Sequence, residues 1–184
     1  MSKARYKCKR KPSRCKRPKN RVAQTTKKFI KSEHNICTDM ATVKIKREAL
    51  YQMMRQLSYG YGERGGILLG PVGSNRITHF YYDRSGACTG SSYSPDYVTL
   101  NRKMREEWLP AGLDMKGFAH SHPGNLDSLT AGDMSYIKKL LNKNTDMNMF
   151  IAPIVLPHQY AIRPLIVSRD KMDHAQQAYF EIFD

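Results

Sequence analysis

The sequence predicts an α/β fold in which helices flank a mixed β-sheet. Segments typical of strands and of helices interleave along the chain, in the order strand, helix, strand, strand, helix, strand, helix, strand, strand. Such interleaving is typical of layered α/β domains. The chain has 184 residues, 40% of them hydrophobic, which suffices for one domain with a core and little more.

The first elements are predicted between residues 41 and 83. The run ATVKIK alternates apolar and polar residues, which predicts a short strand. The segment REALYQMMRQLSYG follows, and its apolar residues share one face of a helix that ends at Gly60. After Glu63, GGILLG predicts a buried strand and RITHFYYD predicts its partner.

The middle of the chain predicts two helices on either side of one strand. Residues 84–95 are rich in Gly and Ser and indicate a loop. Beyond Pro95, which favours a helix start, apolar residues recur at helical spacing as far as Trp108. KGFAHSH then predicts a strand, PGNLDSLTAGD a loop and AGDMSYIKKLLNKN a helix with one apolar face.

The last part of the chain predicts two strands and a helix. MFIAPIVL is strongly apolar and predicts a buried strand. QYAIRPLIV predicts an edge strand, because Pro164 lacks a backbone donor and is tolerated only at the margin of a sheet. The final segment, DKMDHAQQAYFEIFD, is predicted to be a helix.

The positive charge lies almost entirely in the first 31 residues. The chain has 31 Lys and Arg against 16 Asp and Glu, a net charge of +15. Residues 1–31 hold fourteen of the basic residues and no acidic one; subtracting fourteen from 31 leaves 17 basic against 16 acidic residues, a net of +1. Because 1–31 also lacks apolar periodicity, we expect a disordered basic tail there and a folded domain at 41–184.

The tail indicates possible partners, whereas the domain does not indicate a specific nucleic-acid binder. Fourteen cations without acids would bind nucleic-acid phosphates non-specifically, or attract an acidic protein. No apolar run approaches the roughly 20 residues of a membrane span, so no membrane partner is expected. The four cysteines form neither a disulfide framework nor close ligand pairs, and we expect reduced thiols in a cytoplasmic protein.

Residues 120–133, HSHPGNLDSLTAGD, carry the pattern of a metal site. His120 and His122 are two apart, so on a strand they point to the same face. Asp133 comes eleven residues later, in the first turn of the next predicted helix, and the loop can return it to the imidazoles. Two nitrogens and one oxygen leave a fourth tetrahedral position for water, as in catalytic zinc sites.

A hydrolytic site of this kind also needs a base for the proton of the water. Glu63 is the best candidate, because it precedes an apolar strand whose glycines, Gly65 and Gly66, permit a close backbone approach. T-x-x-D at Thr130 and Asp133 also resembles a helix capping box, which is compatible with holding a ligand rigidly.

Together these motifs resemble the JAMM/MPN family of zinc metalloproteases, of the prokaryotic JAB-domain type. The family pattern is a Glu near a Gly-rich apolar strand, then H-x-H-P, seven residues from the second His, and S-x-x-D. Here Glu63 precedes RGGILLG, HSHP stands at 120–123, and TAGD stands at 130–133 with the spacing intact. The match covers about residues 41–165, and it implies the MPN/JAB architecture, which is cytidine-deaminase-like.

The resemblance implies a role for each matched residue. His120, His122 and Asp133 would bind a catalytic zinc ion, and Glu63 would act as general base and then acid. The family serine is implied to stabilise the oxyanion, and Thr130 stands in its place. A threonine hydroxyl can also donate, although its methyl group restricts the rotamer.

The sequence therefore predicts a zinc-dependent peptidase or isopeptidase. The resemblance implies a peptide or isopeptide bond after the C-terminus of a ubiquitin-like or sulfur-carrier protein as the substrate. Two alternatives stay open: a catalytically silent MPN scaffold, and a protein tethered to nucleic acid through residues 1–31.

Overall fold

The computed structural model describes residues 40–60 and 62–184. The predicted basic tail at 1–31 lies outside the described residues, and its disorder stays a prediction. The first described strand begins at Ala41, where the sequence predicts that the domain starts. Within the described part of the chain, no helix is both long and apolar enough to cross a membrane.

The first strand and helix form as predicted. Strand β1 spans Ala41–Lys46, and helix α1 spans Arg47–Leu57, ending three residues before Gly60. Alternate residues of β1 are buried, as the period of a strand requires, and α1 buries one stripe along its length. The buried side chains of these two elements are Val43, Ile45, Ala49, Met53 and Leu57.

Three adjacent strands form one end of the sheet. Strand β2 (Gly65–Pro71) pairs antiparallel with β3 (His79–Tyr82) on one side and with β6 (Leu113–Ser121) on the other. At Gly117 in β6, φ is +154°, and a Cβ would overlap the carbonyl oxygen of Ile151 on the neighbouring strand. Glycine is therefore required where these two backbones approach each other.

Among the described residues, nine strands form one mixed sheet. The remaining ones are β7 (Met149–Ile151), β8 (Ile154–Leu156), β9 (Ala161–Arg163), β10 (Leu165–Ser168) and β11 (Gln176–Phe183). Seven strands follow the order β1-β11-β10-β7-β6-β2-β3, and the β8–β9 hairpin lies beside the end of β6. The pairs β1–β11, β6–β7 and β6–β8 are parallel, and the others are antiparallel.

Helices cover both faces of this sheet, which confirms the predicted α/β class. Helix α2 (Tyr97–Lys103) continues as a π-helical turn over Met104–Trp108, and helix α3 spans Ala131–Lys143. Two large apolar clusters result. One lies under α1 and includes Ile45, Met53, Leu57 and Leu68. The other lies under α2 and α3 and includes Leu100, Trp108, Ile137, Leu141 and Phe150.

The prediction of a helix at the C-terminal end of the chain is wrong. Residues 169–171 form a short 3-10 turn, and β11 follows, pairing parallel with β1 and antiparallel with β10. Ala178 and Phe180 are buried while Tyr179 is exposed, which is the period of a strand. The backbone groups of β1 require a partner, and residues 176–183, rich in aromatic residues, supply it.

Prolines divide two segments that the sequence predicts as single strands. MFIAPIVL forms β7 and β8, separated by Ala152 and Pro153. QYAIRPLIV forms β9 and β10, separated by Pro164. A proline cannot donate to a ladder, so each break lets the chain change its pairing partner. The segment at 84–95 also contains a small hairpin, β4 (Ala87–Cys88) and β5 (Tyr93–Ser94).

Candidate metal centre

The two predicted histidine ligands lie at the end of the central strand β6. His120 pairs with Gly65 of β2 on one side and with Ile154 of β8 on the other. The backbone N–H of His122 donates to the carbonyl oxygen of Val155 at 2.9 Å, so the ladder continues past the end of the strand. Both histidines are almost fully buried, at 1% and 2% exposure. The sheet therefore fixes the backbone of this pair from both sides.

The loop after β6 returns the chain to the histidines. Asn125 takes a left-handed φ of +62°, and its N–H donates to the carbonyl of His122 at 3.3 Å, which closes a turn. Farther on, Asp127 forms an ion pair of 3.4 Å with Arg163 of β9. Helix α3 then starts after Thr130, which puts Asp133 in the first turn beside the two rings.

Three ligand atoms converge on one point. The Nε2 atoms of His120 and His122 are 2.8 Å apart, and Oδ2 of Asp133 lies 3.5 Å from the first and 3.9 Å from the second. Zinc bonds of about 2.0–2.2 Å in a tetrahedron place ligand atoms about 3.3 Å apart, and the three distances bracket that value. This group is able to hold a metal ion, and its two imidazoles and one carboxylate suit zinc.

The hydrogen bond of the His122 ring is consistent with metal binding through its Nε2 atom. Nδ1 of His122 lies 2.7 Å from the carbonyl oxygen of Leu126, which can only accept, so the proton is on Nδ1 and the Nε2 lone pair points at the centre. Two imidazole nitrogens at 2.8 Å attract each other only with a proton or a cation between them. Nδ1 of His120 is buried and has no partner among the described residues.

Asp133 is held in its ionised form. Burial opposes ionisation, but the hydrogen bond and charge of His120, together with hydrogen bonds from Thr130, outweigh it and hold the pKa of Asp133 well below its usual range. The N–H of Thr130 donates to Oδ2 at 2.8 Å and its hydroxyl donates to the same oxygen at 2.6 Å. The carboxylate is thus available as a charged ligand across the physiological pH range.

Glu63 lies two residues before β2. The β2–β6 register pairs Gly65 with His120, and a continuation of that register by two residues would bring Glu63 across from His122. Ser121 fixes this extension, because its N–H donates to the Arg64 carbonyl at 2.8 Å and its Oγ accepts from the Arg64 N–H at 3.0 Å. Residues directly opposite on antiparallel strands share a face. Glu63 is half-buried and is not a member of the converging ligand group.

Thr130 is the N-cap of α3 and forms a complete capping box with Asp133. Its hydroxyl donates to Oδ2 of Asp133 and accepts from the Asp133 N–H at 3.1 Å. The hydroxyl proton is therefore directed at the ligand carboxylate. The oxyanion role implied for Thr130 stays a prediction, and it requires this hydroxyl to change its partner.

A row of aromatic rings leads from His120 to the surface. Phe118 lies 5.3 Å from the ring of His120 and 5.6 Å from that of Tyr136, between centroids, and Tyr97 lies 6.4 Å from Tyr136. Burial raises the pKa of Tyr136 to about 12, so this ring stays neutral. Tyr97 and its neighbour Val98 are 52% and 80% exposed. The row therefore connects the buried ring of His120 with exposed apolar side chains.

Sequence reasoning missed two residues, Ser121 and Asp83, that hold the chain around this centre. Ser121 holds the Glu63 side of the site, and the signal for it was a hydrogen-bonding residue between the two histidines. Asp83 is 3% exposed and binds Tyr93 and the loop that follows β3. The signal for Asp83 was the sequence Asp-Arg-Ser-Gly at the end of a predicted strand, because Asp at such a position favours an Asx turn.

A separate cleft of about 400 Å³ lies between α1 and β3, lined by Gln52, Gln56, Phe80, Tyr81, Tyr82 and Arg84. It contains none of the converging ligand residues. Because ligand geometry and not volume locates a metal centre, the functional site is assigned to the end of β6.

Comparison with known proteins supports the fold and goes no further. No protein-family model and no curated protein matches the sequence. The structure is similar to the solution structure of protein DSY2949 from Desulfitobacterium hafniense, with a TM-score of 0.55 and 16% identity over 77% of this chain and 93% of that chain. It also matches the crystal structure of AF2198, a JAB1/MPN domain protein from Archaeoglobus fulgidus, with a TM-score of 0.46 and 15% identity over 77% of this chain and 98% of that one. The first similarity shows a shared fold, and the second is too low to support a conclusion.

Proposed function

We propose that this protein is a zinc-dependent peptidase or isopeptidase of the JAMM/MPN class. The observation that carries the proposal is the convergence of His120, His122 and Asp133, with distances of 2.8, 3.5 and 3.9 Å between their ligand atoms. The place of Glu63 two residues before Gly65 supports it, because Gly65 pairs with His120 and the candidate general base therefore lies next to the strand that carries the ligands. The motif spacing of the family is the second support.

Each residue has a defined task in this proposal. His120, His122 and Asp133 hold the ion, whose chemistry when bound is to polarise the scissile carbonyl and to acidify water. The carboxylate of Glu63 accepts a proton from the attacking water and delivers it to the leaving nitrogen. Thr130 keeps Asp133 oriented through the capping box, and in the transition state its hydroxyl turns to the oxyanion.

The proposed substrate is a peptide or isopeptide bond after the C-terminus of a ubiquitin-like or sulfur-carrier protein. This part rests on the resemblance of the motifs. The exposed apolar residues Tyr97 and Val98, at the outer end of the aromatic row, offer contact surface for such a chain. We place the activity in the cytoplasm, because the four cysteines of the sequence are not spaced as a disulfide framework.

The test measures metal content and cleavage in the same preparations. Wild type and Glu63→Gln should each bind one zinc ion, and His120→Ala should bind none. Glu63→Gln should cleave linear fusions of ubiquitin-like and sulfur-carrier domains about 10²- to 10⁴-fold more slowly, because the proton transfer is lost. Glu48→Gln changes an exposed acid of α1 and serves as the matched control.

The outcomes separate the alternatives. Full activity in Glu63→Ala would contradict the proposed mechanism. Stoichiometric zinc without turnover on any fusion would identify a catalytically silent scaffold.

For residues 1–31 we propose a non-specific electrostatic role toward nucleic acid or an acidic protein, supported by fourteen basic residues without an acidic one. Deleting 1–31 should leave cleavage of a small substrate intact and abolish salt-dependent retention on nucleic acid. Retention by the shortened chain would assign binding to the domain instead.

A further inference from the structure

The carboxylate of Asp83 organises the segment between β3 and α2. Oδ1 accepts from the N–H groups of Ser85 at 3.2 Å and Gly86 at 3.0 Å. Oδ2 accepts from the hydroxyl of Tyr93 at 2.8 Å and from the N–H of Asp96 at 2.9 Å. Asp83 is only 3% exposed, so these four bonds compensate for the water that the carboxylate loses. All four donors belong to residues 85–96, which this one side chain therefore closes into a loop.

The closed loop reaches the backbone of Glu63. Within the β4–β5 hairpin, the N–H of Thr89 donates to the Ser92 carbonyl at 2.8 Å, and the Thr89 carbonyl accepts from the N–H of Glu63 at 3.0 Å. Gly62 takes φ of +78°, and a Cβ there would overlap the same Thr89 carbonyl oxygen. Only a glycine allows the hairpin to approach the chain this closely next to Glu63.

A second contact runs through the ring of Tyr93. This ring lies against Gly65, where a Cβ would overlap it, and Gly65 pairs with His120 across the ladder. Burial, followed by the hydrogen bond to Asp83, raises the pKa of Tyr93 well above its usual range, so its hydroxyl stays a donor. The hairpin is thus fixed to the strand that begins two residues after Glu63.

Glu63 is therefore held from two sides. The hairpin binds its N–H, and Ser121 binds both backbone groups of Arg64. We infer that Asp83 is a positioning residue that fixes the general base through the β4–β5 hairpin, without touching the metal ligands. The role of Glu63 as general base rests on the proposed function. The contacts that fix the backbone at Glu63 rest on the structure alone.

The first test needs no turnover. Amide hydrogen exchange is measured by NMR on the full zinc-loaded chain for wild type, Asp83→Asn and Tyr93→Phe. Asn has one accepting oxygen and one NH2 group, so in either amide orientation the NH2 faces at least one backbone N–H, which can only donate. In Asp83→Asn we therefore expect the Glu63 and Thr89 amides to exchange at least about tenfold faster. The His122 amide, held by β8, should change less than about twofold. Tyr93→Phe keeps the ring and should give a smaller effect of the same pattern.

The control for general loss of stability is Arg169→Met, which removes a guanidinium at the far end of α3. It should leave the Glu63 amide protected. Unchanged exchange at Glu63 in Asp83→Asn would overturn the inference. Equal acceleration at Glu63 and His122 would also overturn it, since that result indicates general destabilisation.

The second test asks whether Asp83 acts through Glu63. Asp83→Asn should lower kcat about 10- to 100-fold with one zinc ion still bound, the range expected for a misplaced catalytic group. In the Glu63→Gln background the same substitution should change kcat less than about twofold. If Asp83→Asn lowered kcat by the same factor in the Glu63→Gln background as in wild type, the result would contradict the inference. If wild type shows no turnover while the exchange pattern holds, the proposed function fails and the hold on Glu63 stands.

Discussion

The Thr130 hydroxyl forms one hydrogen bond with the carboxylate of Asp133 and another with the backbone N–H of Asp133. The Thr130 hydroxyl donates to Oδ2 of Asp133 at 2.6 Å, and the Asp133 N–H returns a hydrogen bond to the hydroxyl oxygen at 3.1 Å. A helix cap and the orientation of a metal ligand are therefore one structure. Because Oδ2 is also the atom nearest both histidines, a change at Thr130 acts directly on the metal centre.

We predict that Thr130→Val weakens zinc binding about 10- to 100-fold, as loss of a partner behind a metal ligand does. It should also lower the free energy of unfolding of the metal-free chain by about 1 kcal/mol through loss of the cap. Thr130→Ser keeps the hydroxyl and should retain both properties. Chelator competition and urea unfolding measure the two effects. Wild-type zinc affinity in Thr130→Val would show that the capping box does not orient Asp133.

The lowered pKa of Asp133 predicts a pH dependence in the metal-free protein. A folded pKa below the unfolded value of about 3.9 stabilises the fold above that value, and the stabilisation is lost as pH falls through the folded pKa. Wild type should therefore lose more stability than Asp133→Asn between about pH 4 and pH 2, with no such difference in slope above pH 5. Urea unfolding at a series of pH values measures this. Asp127→Asn, in the loop that precedes α3, is the control, and parallel curves for wild type and Asp133→Asn would contradict the prediction.

Zinc should stabilise the folded chain, because the ligand group exists only when β6 and α3 are in place. At a free zinc concentration 100 times the Kd, the gain is about 2.7 kcal/mol, and a chelator should reverse it. Thermal unfolding with and without zinc measures the shift. His122→Ala should abolish it, whereas His158→Ala, at an exposed histidine, should leave it unchanged. A full zinc-dependent shift in His122→Ala would move the metal site elsewhere.

Arg169 holds the far end of the helix that carries Asp133. Its guanidinium donates to the carbonyl oxygens of Leu141, Asn144 and Met147, at 2.5, 2.6 and 2.9 Å. We predict that Arg169→Met lowers the free energy of unfolding by about 2 kcal/mol, since hydrogen bonds from a charged donor are lost at a helix C-terminus.

Arg169→Lys should lose part of this stability, because an ammonium lacks the planar fork. Lys171→Met, at an exposed position of the same turn, is the control in urea unfolding. Equal stability of Arg169→Met and wild type would mean that solvent satisfies these carbonyl groups equally well.

Local patterns predicted most of the elements. The period of two in ATVKIK and the helical spacing from Arg47 gave β1 and α1 at nearly the observed bounds. The spacing of His120, His122 and Asp133 predicted three side chains that the structure brings together. Such predictions succeed because side-chain direction follows the local backbone period, and because a loop of seven residues returns the chain to the same strand end.

The C-terminal segment shows the limit of local patterns. Residues 176–183 join the sheet because β1, more than 130 positions earlier, lacks another partner on that side, and no local feature records this. The same holds for Asp83, whose four hydrogen bonds depend on a loop that folds back over it. In both cases the decisive contact joins two segments that are close together only in the folded chain.

By itself the sequence determined which chemical groups are available to the site: two imidazoles, a carboxylate ligand, a second carboxylate and a hydroxyl. It also determined the order of the elements that carry them, and it indicated the capping box between Thr130 and Asp133. Only the tertiary structure decided that the hairpin and Ser121 hold the chain at Glu63. The physical reason is that hydrogen-bond partners are chosen by distances of about 3 Å, and packing of the whole sheet sets these.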